Sequence, residues 1–235
     1  MFDHFTLERI DVGEAVLRVR YGGSGPPVVL LHGHPRTHAT WHRVAPLLAD
    51  TYTVVCPDLR GYGESSKPES TPDHMPYSKR AMATDIFHVM RALGHERFAV
   101  AGHDRGSYVA TPLTLDHPEV LTSLTVLDGV PIGEALARCD ATFAASWWHW
   151  FFLAQTAKPA ERVINADPDA WYGGDHEHMG DDAWADYQRA IWRSWADDVR
   201  GGGLDCGHQM SEEAPADLAT RLRTFWTDVE TAAET

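Results

Sequence analysis

An acidic residue between two glycines, at the end of an apolar run, is well placed for chemistry. Residues 98–116 read FAVAGHDRGSYVATPLTLD: an apolar run, then Gly102-His103-Asp104-Arg105-Gly106, then a helix-like segment that stops at Asp116-His117-Pro118. That is strand, sharp turn and helix with Asp104 at the tip, the layout G-x-nucleophile-x-G of a nucleophile elbow with Asp in place of Ser. The glycines permit a tight turn and close approach of strand to helix, and the helix N-terminus behind the turn favours negative charge. A carboxylate shown in this way can attack a carbon bearing a leaving group and form an ester. The same five residues also suit a plain Asp N-cap at a βα turn, and the rest of the chain has to decide between the two.

Two more residues stand where strand ends are expected. Asp128 closes the apolar run Leu121–Leu127, and His208 follows Gly207 ahead of Met210-Ser211-Glu212-Glu213-Ala214-Pro215. Taken singly, Asp128 suits a turn and His208 suits a surface. The elements that would position them read as follows. Phe5–Val12 and Ala15–Tyr21 alternate like two strands joined at Gly13-Glu14. Val28–Leu31 and Tyr52–Cys56 are wholly apolar, as in strands buried on both faces. Helical patterns cover Trp41–Leu48, Ser78–Leu93 and Pro215–Val229. Strands alternating with helices predict an α/β fold with a doubly wound, mostly parallel sheet, whose site lies at the C-terminal strand ends. From residue 131 to 191 the chain is rich in Trp, His, Asp and Ala. Its expected helices are Gly133–Asp140, Thr142–Thr156, Pro159–Asn165, Pro168–Gly173 and Asp181–Ala196. This division gives a core of residues 1–130 and 192–235 with an inserted helical lid of residues 131–191. Val199–Asp205, with three glycines, reads as a weak last strand.

The formal net charge of −14 argues against a nucleic-acid or anionic-membrane partner. Cys56, Cys139 and Cys206 are scattered and lack metal-type spacing, which predicts a reducing, cytoplasmic setting. The N-terminus has neither a basic n-region nor an apolar h-region, so no signal peptide is expected, and no apolar run approaches a membrane span. The acidic stretch 167–186, with His176 and His178, is spaced too loosely for a metal and reads as a solvated surface. Neither metal nor cofactor is expected.

The chain resembles the α/β-hydrolase superfamily, in its Asp-nucleophile branch, and most closely the haloacetate (fluoroacetate-type) dehalogenases. The resemblance rests on HGHP at 32–35, DLRGYGES at 58–65, GHDRG at 102–106, LDHP at 115–118, VLDGVP at 126–131, WWHWFF at 147–152 and GHQMSEEAP at 207–215, in family order. It implies an α/β-hydrolase fold and a small-molecule substrate, a haloacid. Asp104 would be the nucleophile, His208 the activator of water and Asp128 the partner of the imidazole, in the chain order this fold uses. The N–H groups of His34 and Arg105 would form the oxyanion hole. The Arg105 guanidinium would clamp the substrate carboxylate, and His149 and Trp150 would donate to the departing halide. His32 and His103 read as packing or loop-bonding residues, Asp58 and Arg60 as loop supports, and Trp147 and Trp148 as lid core.

Three departures from the family pattern matter. Tyr108 stands where a second clamping arginine is expected. Pro112 falls inside the elbow helix. The chain is also several dozen residues short, with no Val/Leu-rich run between Asp128 and Val199, so the sheet should lack a strand. Such a gap leaves a strand edge open, and pairing with a second copy is one way to cover it. Two other readings stay open: an epoxide hydrolase with the same triad, for which Tyr172 and Tyr187 are the only lid acids, and an inactive or binding-only relative.

Overall fold

The computed structural model describes residues 2–155, 160–172 and 182–233, with side chains from residue 186 onward in the last segment. Six strands form one sheet: β1 Thr6–Asp11, β2 Val16–Gly22, β3 Pro27–Leu31, β4 Thr53–Pro57, β5 Phe98–His103 and β6 Leu121–Leu127. Their order is β1-β2-β4-β3-β5-β6. β1, β2 and β4 pair antiparallel, whereas β4, β3, β5 and β6 run parallel. Reversal of strand order between β3 and β5 puts their C-terminal ends at a crevice, the usual place for a site in such sheets.

Alternation along the parallel strands explains the layering. Val29, Leu31, Val55 and Val100 face one core, shared with Ile86, Val89 and Met90 of α2 (Lys79–Ala92) and Val109, Ala110 and Leu113 of α3 (Arg105–Asp116). Val28, Leu30, Val54, Ala99 and Ala101 face the other. That layer holds Ala45 and Leu48 of α1 (Ala45–Leu48), Trp41 just ahead of that helix, and Leu218, Leu222 and Trp226 of α11 (Pro215–Ala233). The expected helix Trp41–Leu48 is instead a 3-10 turn over His38–Trp41 followed by the single turn α1. Arg43 and Pro46 interrupt its apolar repeat.

Beyond β6 come α4 (Ile132–Ala137), α5 (Ala141–Ser146), α6 (Trp148–Leu153), α7 (Ala160–Ile164), α8 (Pro168–Tyr172), α9 (Asp182–Trp192) and α10 (Met210–Glu213). The run expected as one helix, Thr142–Thr156, breaks at Trp147, where φ −108 and ψ 34 leave the helical region. Val130, Ala135, Phe143 and Ile191 make a small third core beside Trp147, Trp150, Phe151 and Tyr187. No strand occurs among the described residues of 140–190. Val199–Asp205 is not a strand either, which corrects the expectation of a seventh. Its glycine run offers no side chains to pack, and β6 is left as the end of the sheet. Pro112 lies inside α3 as expected, where it denies the Tyr108 carbonyl an i+4 donor.

Candidate active site

Asp104 links β5 to α3 with φ 50 and ψ −118, a conformation L-residues seldom adopt. Its N–H donates to the Leu127 carbonyl at 3.0 Å. Its carbonyl accepts from Ser107 N at 3.0 Å and from the Ser107 hydroxyl at 2.5 Å. The turn is possible only because glycines surround it. A Cβ on Gly33 would stand 2.5 Å from Asp104 Oδ1, and one on Gly106 would run into the Leu31 carbonyl of β3. The elbow expected from the sequence is therefore present.

The carboxylate meets donors from the loop after β3. His34 N–H donates to Asp104 Oδ1 at 2.7 Å. Arg105 N–H opens α3 and belongs to the first turn, which has no intrahelical acceptors. Burial and the Arg105 charge push His34 down to about 4, so its ring is neutral, with Nδ1 3.3 Å from the Tyr62 hydroxyl. Across the crevice, His208 Nδ1 bonds Asp128 Oδ2. Burial would lower the His208 pKa, but the Asp128 bond and the charges of Asp128 and Asp104 outweigh it and raise the pKa. Asp128, like Asp104, has a positive φ, 52°.

The loop carrying His208 is tied down on both sides. Glu213 accepts from Gly207 N at 2.7 Å and from Gln209 N at 3.0 Å. The His208 carbonyl accepts from His103 Nε2 at 2.8 Å. His103 is fully buried and pushed down to about 4 by that burial, so it is neutral and serves as a loop support, as expected. His32 has the same character: Nδ1 meets the Gly33 carbonyl, and Nε2 accepts from Leu59 N. Asp58 receives His38 and Glu64, and Arg60 forks onto Asp85, both as loop supports.

Tyr108 and Trp150 meet edge-to-face at 5.8 Å, which seats Trp150 over α3. Burial and the charges of Asp104 and Asp128 push the Tyr108 phenol well above its ordinary pKa, so it stays neutral. His149 is half-buried, edge-on to Trp148 at 6.4 Å. Trp148 is more exposed than core, at 54%, with its ring tilted against Phe152 and edge-to-face with Trp171. Tyr172 tilts over the His34 ring at 5.9 Å, whereas Tyr187 packs in the third core. His176 and His178 lie outside the described residues. Among the described residues no cluster is placed to hold a metal, and no helix is long and apolar enough to cross a membrane.

The α/β hydrolase fold family matches residues 26–201. The chain belongs to that family. A fluoroacetate dehalogenase of Burkholderia sp is 51% identical over 174 residues, 74% of this chain and 57% of that protein. A soluble epoxide hydrolase of Corynebacterium sp. (strain C12) is 42% identical over 109 residues, 46% of this chain and 36% of that protein. A solved structure from Nostoc sp PCC 7120, assigned to the α/β hydrolases, superposes with a TM-score of 0.88 at 35% identity, covering 97% of this chain and 99% of that one. This α/β hydrolase chain thus spans between about a third and just over half the length of those two curated relatives.

Three residues around the site escaped the sequence reading. Lys79 opens α2, is half-buried, and feels the charges of Arg105 and Asp104; burial first, then Arg105, lowers it to about 8. A cation at a helix N-terminus opposes the macrodipole, and that local conflict was a readable signal. Glu213 lies five residues after His208 inside a motif already noticed. Gln188 gave no signal, because its partner Asp128 is 60 residues away.

Proposed function

We propose that the protein is a hydrolase that cleaves the carbon–halogen bond of a small haloacid through an ester on Asp104, with residues 131–191 as its lid. The observation that carries this reading is an Asp, not a Ser, at a strained elbow whose Oδ1 receives the His34 N–H at 2.7 Å. One carboxylate oxygen attacks the carbon, the carbon–halogen bond breaks and halide leaves. His208 then takes a proton from water, and the hydroxide adds to the Asp104 ester carbonyl. The N–H groups of His34 and Arg105 hold the oxyanion. The ester collapses to a 2-hydroxyacid, whose oxygen takes back the proton. Asp128 steadies the imidazolium.

The anionic substrate class is supported by two cations at the nucleophile. Among the described residues, neither Arg105 nor Lys79 forms an ion pair with a carboxylate, while Arg105 lies beside the Tyr62 hydroxyl. Lys79 therefore supplies some of the positive charge that Tyr108 does not. His149 and Trp150 are the proposed halide donors. The free thiols Cys56, Cys139 and Cys206 fit a reducing, cytoplasmic setting. A second copy on the uncharged outer edge of β6 would cover the end of the sheet.

The test is one turnover in oxygen-18 water with excess protein and chloroacetate. Unlabelled product with label in Asp104 is expected, and labelled product would mean direct attack by water. An epoxide hydrolase is the second reading, favoured by the phenols of Tyr62 and Tyr172 beside His34. Diol formed from styrene oxide faster than halide from chloroacetate would select it.

A further inference from the structure

Asp128 and Gly129 form a turn held from outside by one lid helix. Gln188 Nε2 donates to Asp128 Oδ1 at 2.9 Å, and Gln188 Oε1 accepts from Gly129 N at 3.0 Å. One helical turn on, Trp192 Nε1 donates to the Gly129 carbonyl at 3.0 Å. Both backbone polar groups of Gly129 and one oxygen of Asp128 are thus engaged by α9.

The backbone donor also decides which way the amide faces. Gly129 N–H can bond only an oxygen, so the NH2 of Gln188 must point at Asp128. The other carboxylate oxygen, Oδ2, faces His208. We propose that Gln188 is a positioning residue for the Asp128–His208 pair: its amide fixes the Asp128 carboxylate and spreads its charge, and so sets how tightly His208 holds a proton. Through it, docking of the lid helix and readiness of the base become one event.

The sign of the effect follows from the carboxylate. A neutral donor on Oδ1 stabilises the Asp128 anion and weakens its pull on the imidazolium. Without that donor the proton on His208 is held more tightly. Other titratable groups bear on the pair as well: His103 and Asp104 from the end of β5, Tyr108 from α3, Cys206 from the preceding loop and Glu213 from α10. The substitutions at residue 188 change none of these side chains themselves.

The inference rests on the reading of His208 as base, and its test has a part that needs no activity. His208 is titrated by NMR in the wild type, Gln188→Leu and Gln188→Glu. Its pKa is expected to rise by about half a unit in Gln188→Leu, and by about one unit in Gln188→Glu, where a second carboxylate faces Asp128. Halide release from chloroacetate should lose about tenfold in kcat with KM little changed. Gln188→Glu keeps the side-chain volume and carries the titration if Gln188→Leu does not fold. A His208 pKa within about 0.2 units of wild type in the folded variants overturns the proposal. Shifted pKa values in a protein that never releases halide would uphold the contact and reject the hydrolase reading alone.

Discussion

Asp104 and Asp128 sit at the C-terminal ends of neighbouring parallel strands with nearly the same positive φ, 50° and 52°. Different parts of the molecule hold them there. Asp104 is fixed by the core: its N–H on β6, its carbonyl on Ser107, and a clearance toward β3 that only glycines allow. Asp128 is fixed by Gln188 of α9, and its partner His208 by Glu213 and His103. The Asp104 turn is therefore built whenever the sheet is folded. The Asp128–His208 contact instead depends on α9 and on the His208 loop staying in place.

The largest effect should fall on the core side. Asp104→Asn replaces an anion with a poor nucleophile in an unchanged turn. Halide release is expected to drop by about four orders of magnitude or more, with thermal stability little altered. Release retained in that variant would move the nucleophile elsewhere. On the other side, His208→Gln leaves ester formation intact and removes the activator of water. One halide per protein should appear, after which intact mass measurement finds the ester on Asp104. A variant that turns over repeatedly would show the two sides are not separable.

Stability gives the same contrast. An alanine at Gly106 puts a Cβ against the Leu31 and His32 carbonyls, which cannot yield without parting β3 from α3. A loss of about 1–3 kcal/mol in urea unfolding is expected. Trp148→Ala, on an exposed lid face, should stay within about 1 kcal/mol. Equal losses would mean that lid and core unfold as one unit.

This contrast also explains what could be read from the chain. The elbow, the strands and Asp58 and Arg60 as loop supports were legible, because alternation and glycine placement are local consequences of packing on both faces of a sheet. The 131–191 segment was less so. Its helices are short, the break at Trp147 has no Gly or Pro to mark it, and Gln188 meets Asp128 only through tertiary structure. Val199–Asp205 looked like a weak strand by position alone, and three glycines with no partner strand leave it as coil.

Substrate charge should separate the two cations beside Asp104. Arg105→Ala is expected to raise KM for chloroacetate by one to two orders of magnitude, in line with the roughly 1.5–3 kcal/mol of a charged hydrogen bond. Lys79→Met, whose charge is partly relieved by its lowered pKa, should cost about three- to tenfold. A neutral haloalkane should feel neither change, and equal losses on both substrates would refute a carboxylate clamp.

The smallest effect is a displacement in pH, and it probes both sides together. His208 must be neutral to accept a proton from water, and its raised pKa comes from Asp128 and, more weakly, from the charge of Asp104. In the free protein its NMR midpoint should therefore lie above the ordinary value of about 6.5. Because that folded value is raised, its contribution to stability is full below about 6.5 and fades as pH rises through it. Forming the ester removes the charge of Asp104, so His208 loses one source of its upward shift. Steady-state turnover limited by ester hydrolysis should rise with pH along a limb whose midpoint sits a fraction of a unit below the NMR value. The single-turnover halide burst should show no such limb, since attack by a carboxylate needs no proton acceptor. A burst that follows the same limb would mean that His208 acts before the ester forms, with Asp104 as its partner and not the nucleophile.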